Sequence, residues 1–201
     1  MDYQALFARI LQTVDTTAYL TPASQVEGPQ RDALARVEAA IQSPQFDAQS
    51  TRALIRRLHS EGQIDRVKML SALHVVACHP KVADWEEAAR LVGEQEFAAL
   101  ELGGPQLQAN LASVERHRGV LAYLRNHHEV ALEYFTRALE RERTAENLGN
   151  VLACLLTLGD EAEARDLLVQ VRRGFPAAMV AELEKNILRD PDLALLRTET
   201  P

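Results

Sequence analysis

Apolar residues in this chain recur at three- and four-residue spacing and almost nowhere at every second position, and that constraint leaves helix as the building element. Leu6, Phe7, Ile10, Leu11 and Val14 make one such stripe, and Leu34, Val37 and Ile41 another. Alternating runs of Val, Ile and Thr are missing, aromatic residues are only 5%, and Ala, Leu, Glu, Arg and Gln dominate. These are good helix formers and poor strand formers, so the expected fold class is all-α. With 201 residues, 47% apolar and 25% charged, the chain can bury a core without disulfides or metals, which excludes wholesale disorder.

Breakers and caps divide the chain into helices. The first is predicted over residues 3–14, followed by a loop over residues 21–29 containing Pro22, Gly28 and Pro29. The second passes through Leu34, Val37 and Ile41 and stops before Pro44. Ser50 or Thr51 is the expected cap of a third, carrying Leu54, Ile55 and Leu58 and ended by Gly62. A fourth carries Ile64, Val67, Leu70 and Val75 up to Pro80. Asp84 is the expected cap of a fifth with Trp85, Ala88, Ala89 and Val92, Trp85 serving as a core anchor. A separate short helix with Phe97 and Leu100 follows, ending at Gly103-Gly104-Pro105, the strongest internal breaker and the expected seam. Beyond it, helices are predicted over 107–124, 129–141, 147–156, 161–173 and 177–188, with turns at Asn126-His127-His128 and Gly159-Asp160. The expected organisation is therefore a helical part over 1–104, a regular part over 105–193 and a frayed tail over 194–201.

No apolar run approaches the roughly 20 residues that a membrane span needs, and residues 1–20 lack a basic segment followed by an apolar one. The expectation is a soluble, cytoplasmic protein. Cys78 and Cys154, set in apolar segments 76 residues apart, fit reduced, buried thiols there, although a single disulfide between them stays open. Lysine occurs only at Lys68, Lys81 and Lys185, every other basic side chain being Arg, which points to a high-GC, bacterial genome. A net charge of −7 weighs against a broad phosphate-binding surface.

An internal repeat decides the architecture. At an offset of 33, Asn126 aligns with Gly159, Ala131 with Ala164, Phe135 with Leu168 and Ala138 with Val171. The small residues, Gly119 among them, let antiparallel helices approach closely, and Phe135 and Leu168 fill the space between successive pairs. Pro176 closes the second copy, and Glu61-Gly62-Gln63-Ile64 sits like the turn of an earlier, weaker one. Over residues 113–176 this pattern resembles the tetratricopeptide repeat. The resemblance implies a right-handed α-solenoid of antiparallel helix pairs, with degenerate N-terminal helices stacked on it. It departs from the family at Glu115, where an aromatic or leucine is usual, and at Arg143, where the closing proline is usual.

Chemistry-bearing clusters are few. His74 and Cys78 share a helical face and His79 adjoins them, but a zinc site needs further ligands, and neither CxxC nor HExxH occurs. A buried Cys with a His near a helix end is the expected arrangement, so no metal is expected. His127 and His128 fall on a turn, one facing solvent and one packing. Phosphate cradles and nucleophile elbows are missing, so neither a cofactor nor enzymatic activity is expected.

The resemblance implies a non-catalytic protein-interaction module: an adaptor, scaffold or chaperone that binds a peptide or helix of a partner protein. On the repeat alignment its groove is lined by Arg116, Val120, Tyr123 and Leu124 from one copy and Asn147, Asn150 and Leu156 from the next. Asn side chains suit an extended backbone because they donate and accept, and Tyr123 is an amphipathic anchor. A self-assembling structural subunit and, less favoured by the charge, a nucleic-acid-linked regulator are the alternatives.

Overall fold

The computed structural model describes residues 29–197. The helix predicted over residues 3–14, all but the last residue of the loop after it, and residues 198–201 lie outside that range. Among the described residues there is no strand. Nine α-helices and a closing 3-10 helix follow one another: α1 (Pro29–Gln42), α2 (Ala48–Ser60), α3 (Arg66–Cys78), α4 (Trp85–Leu102), α5 (Leu107–Leu124), α6 (His128–Arg141), α7 (Ala145–Leu158), α8 (Glu161–Gly174), α9 (Ala177–Arg189) and the 3-10 segment Pro191–Leu196. The fold is all-α, built of consecutive helices packed in neighbouring pairs, an arrangement consistent with a helical solenoid.

Three boundaries differ from the predicted ones. The cap of α2 is Asp47, whose carboxylate accepts from the Ser50 N–H at 2.7 Å; neither Ser50 nor Thr51 caps. Asp serves better because it stands one residue outside the helix, where its oxygen reaches the third amide. Second, the helix through Phe97 and Leu100 is not separate but continues α4. A helical Gly such as Gly93 costs about 1 kcal/mol, and the buried face of Leu91, Val92, Ala98 and Ala99 outweighs it. Third, Asp190-Pro191-Asp192 opens the 3-10 helix, which buries Leu193 and Leu196. Asp84, by contrast, caps α4 as predicted, accepting from the Glu87 N–H at 3.0 Å.

Contacts divide the described chain into two units, residues 29–121 and 122–197. In the N-terminal unit α1 packs on α2, α2 on α3 and α3 most extensively on α4. Helix α3 is the inner element: Val67, Leu70, Ala72, Leu73, Val76 and Ala77 are all buried, with Ile55 and Leu58 of α2 and Ile64. A helix apolar on nearly every side has to be surrounded. In the C-terminal unit α7 has that place. Every residue from Val151 to Leu156 is buried, and α6, α8, α9 and the 3-10 helix all pack against α7.

The offset of 33 is present in the backbone as well as the sequence. The Asn126 N–H donates to Tyr123 O (2.9 Å) and the His127 N–H to Ala122 O (2.9 Å); 33 residues on, Gly159 donates to Leu156 O (3.0 Å) and Asp160 to Leu155 O (2.9 Å). Both turns are Schellman motifs, and they require a left-handed residue, φ 61° at Asn126 and 87° at Gly159. Equivalent bonds then start both helices, Ala131 N–H to His127 O and Ala164 N–H to Asp160 O. The same pair of bonds ends α2, from Gly62 to His59 O and Gln63 to Leu58 O.

Ala131 and Ala138 have no exposed surface. Ala131→Trp is expected to cost about 1–3 kcal/mol or more by overpacking, lowering the denaturation midpoint of the C-terminal unit. An unchanged midpoint would contradict the packing described.

Candidate functional site

The C-terminal unit carries an open cleft of about 430 Å³ between α7, α9 and the start of the 3-10 helix. Gly149 and Leu193 form its floor. Glu146 and Asn150 come from α7, Asn186 and Arg189 from α9, and Asp190 and Pro191 from the connection. The spacing follows from helix geometry: 146, 149 and 150 share one face of α7, and 186 and 189 one face of α9. A Cβ at Gly149 would lie 3.7 Å from Leu193 Cδ1, so the two elements meet closely there. The side chains of Asn150, Asn186 and Arg189 make no hydrogen bond or ion pair among the described residues. A permanent cation and two amides, each able to donate and accept, thus converge on one open space.

The predicted groove residues are distributed as follows. Asn150 lines the cleft, half-buried. Asn147 does not face a partner: it is fully buried, and its amide donates to Glu142 O at 2.8 Å, tying the start of α7 to the end of α6. Leu156 is buried in the α7 core with 9% of its surface exposed. Tyr123 is half-buried; its hydroxyl lies 2.9 Å from Thr157 Oγ1 and 3.4 Å from Asp192 Oδ2, and its ring meets His128 edge-on at 5.0 Å. It braces the end of α5 against α7 and the 3-10 helix. Leu124 is exposed beside it. Arg116 and Val120, both half-buried, belong to the N-terminal unit. Sequence reasoning missed Asn186 and Arg189 because it did not foresee the 3-10 return that makes a cleft of that end of α9; the signal was Asp190-Pro191-Asp192, a capping residue before a proline.

The histidine cluster of the N-terminal unit is a closed network. The His74 Nδ1–H donates to Ala88 O at 3.1 Å, which leaves Nε2 to accept from the Cys78 thiol at 3.4 Å. His117 stacks on His74 with ring centroids 4.4 Å apart. Its Nδ1–H donates to Gln95 Oε1 at 2.7 Å, and Gln95 Nε2 donates to Ser113 Oγ at 3.2 Å. His79 turns away and stacks on Phe46. Among the described residues no third ligand joins His74 and Cys78 in metal-binding geometry. Burial pushes the Cys78 thiol up to about 11 and the Cys154 thiol to about 12, and both cysteines are free.

No protein-family model matches the chain, and no curated protein or solved structure is significantly similar to it.

Burial holds both imidazoles below the ordinary value of 6.5, His117 well below it, with the charges of His74, Arg116 and Lys68 adding to the effect at His117. The folded chain therefore binds fewer protons than the unfolded chain just below pH 6.5. The stability contributed by keeping these two imidazoles neutral is full above that pH and is lost as pH drops toward the folded values. Thermal melts are expected to show a lower midpoint at pH 5 than at pH 7.5, and imidazole NMR to show both rings titrating below 6.5. Titration of either ring at or above 6.5 would contradict the closed network.

Proposed function

We propose that this chain is a non-catalytic protein-interaction module, an adaptor, scaffold or chaperone of the tetratricopeptide kind, which binds a peptide or helix of a partner protein. The observation that carries this reading is the cleft beside α7, where Asn150, Asn186 and Arg189 have no side-chain partner among the described residues. An extended backbone presents alternating N–H and C=O groups, and two opposed amides can engage both. Arg189 adds a preference for a carboxylate on the partner, as a guanidinium binds it with two parallel bonds. The repeated Schellman turns and the buried alanines at the 33-residue offset support the tetratricopeptide character. Two free thiols support a reducing, cytoplasmic location.

The test compares the tagged wild-type chain with Asn150→Ala/Arg189→Glu in capture from source-cell lysate, with quantitative mass spectrometry of the eluates. Both positions are outside the buried core, so circular dichroism is expected to be unchanged. A specific partner is expected to fall by roughly tenfold or more in the variant, as it does when central interface groups are removed. Equal recovery by both proteins, or no specific partner with either, would contradict the reading.

A further inference from the structure

The outward face of α4 belongs to the N-terminal unit, and its role does not depend on that of the cleft. Ala89, Gly93, Phe97 and Leu100 follow one another there at helical spacing, and all four are exposed. Phe97 keeps 58% of its surface in water and Leu100 57%, a large apolar area for one helix face. One turn before Phe97 the surface opens: a Cβ at Gly93 would meet no atom of the described residues within 4 Å. Exposed charges flank the stripe, Arg90 toward its N-terminal end and Glu101 toward its C-terminal end.

We propose that this stripe is the interface of a two-fold symmetric dimer, in which α4 packs antiparallel against α4 of a second copy of this chain. Two features select a second copy as the occupant, because the face is complementary to itself. The first is size. With the two-fold axis midway between Gly93 and Phe97, each Phe97 ring lies over the open space at the other copy's Gly93, and the contact is made twice. The second is charge. The same register brings Arg90 of each copy to the turn containing Leu100 and Glu101 of the other, so two opposite-charge pairs close the ends. Self-complementarity of this kind is what an isologous interface requires. Arg90 now pairs with Glu94 and, at 3.9 Å, with Glu87, and Glu101 pairs with Arg66 at 3.2 Å. The Arg90 and Glu101 side chains are themselves exposed, where such pairs are weak, so both can be shared across the axis.

Sedimentation equilibrium of the full chain over a wide concentration range, under reducing conditions, tests this. The expected result is a reversible monomer–dimer equilibrium. Phe97→Glu is expected to raise the dimer dissociation constant by roughly tenfold or more, as loss of a central aromatic anchor does. Gly93→Phe, which fills the opening, is expected to act the same way. Arg90→Glu should weaken the dimer and Arg90→Glu/Glu101→Arg restore it, which separates an interface effect from a folding effect. A monomer at every concentration, an assembly larger than a dimer, or a dimer indifferent to Phe97→Glu would overturn the proposal.

Discussion

Close approach of helices at buried alanines is the constraint on which both units depend. Ala72, Ala77, Ala88, Ala98 and Ala99 serve the N-terminal unit, and Ala131, Ala138, Ala145 and Ala164 the C-terminal one, each with less than a tenth of its surface exposed. Alanine loses no rotamer freedom on burial and leaves no bulk between two backbones. Larger side chains then fill the spaces left between helices: Phe135, Leu139, Leu148 and Leu152 in one unit, Ile55, Leu58, Leu70 and Leu73 in the other. Interiors packed in this way tolerate little added volume.

One helix in each unit carries the consequence furthest. Helices α3 and α7 are buried on nearly all sides, so their polar residues must find partners inside the protein. His74 does so through Ala88 O and Cys78, and Asn147 through Glu142 O. Asn147 illustrates how a residue that looks suited to a partner becomes structural. At the first turn of α7 it is fully buried, and its amide donates to the Glu142 carbonyl just past the end of α6.

The all-α class and most helix bounds were legible from periodicity and breakers. The bounds predicted for α5 match the observed helix, and those of α6 and α8 differ by one residue at one end. What periodicity does not carry is competition between a local breaker and a distant packing face. The segment with Phe97 and Leu100 is expected from the sequence to be a separate helix, whereas the buried face of Leu91, Val92, Ala98 and Ala99 holds it in one helix with Trp85. The 33-residue repeat was legible because each element of it, a left-handed turn residue and two small residues, has a local signature. The cleft was only partly legible. Asn150 was found through the repeat alignment, whereas Asn186 and Arg189 acquire a role only once the 3-10 helix folds back against α7. The stacking of His74 on His117 joins residues far apart in sequence, and no spacing rule reaches it.

The central claim is that the C-terminal unit is organised around α7, with α6, α8, α9 and the 3-10 helix as its cover. Amide hydrogen exchange tests it residue by residue, since exchange from an enclosed helix requires the cover to open first. The prediction is that amides of residues 148–156 exchange last in the unit, with those on the exposed face of α8 well ahead of them. Exchange of α7 at the same rate as α8 would contradict it.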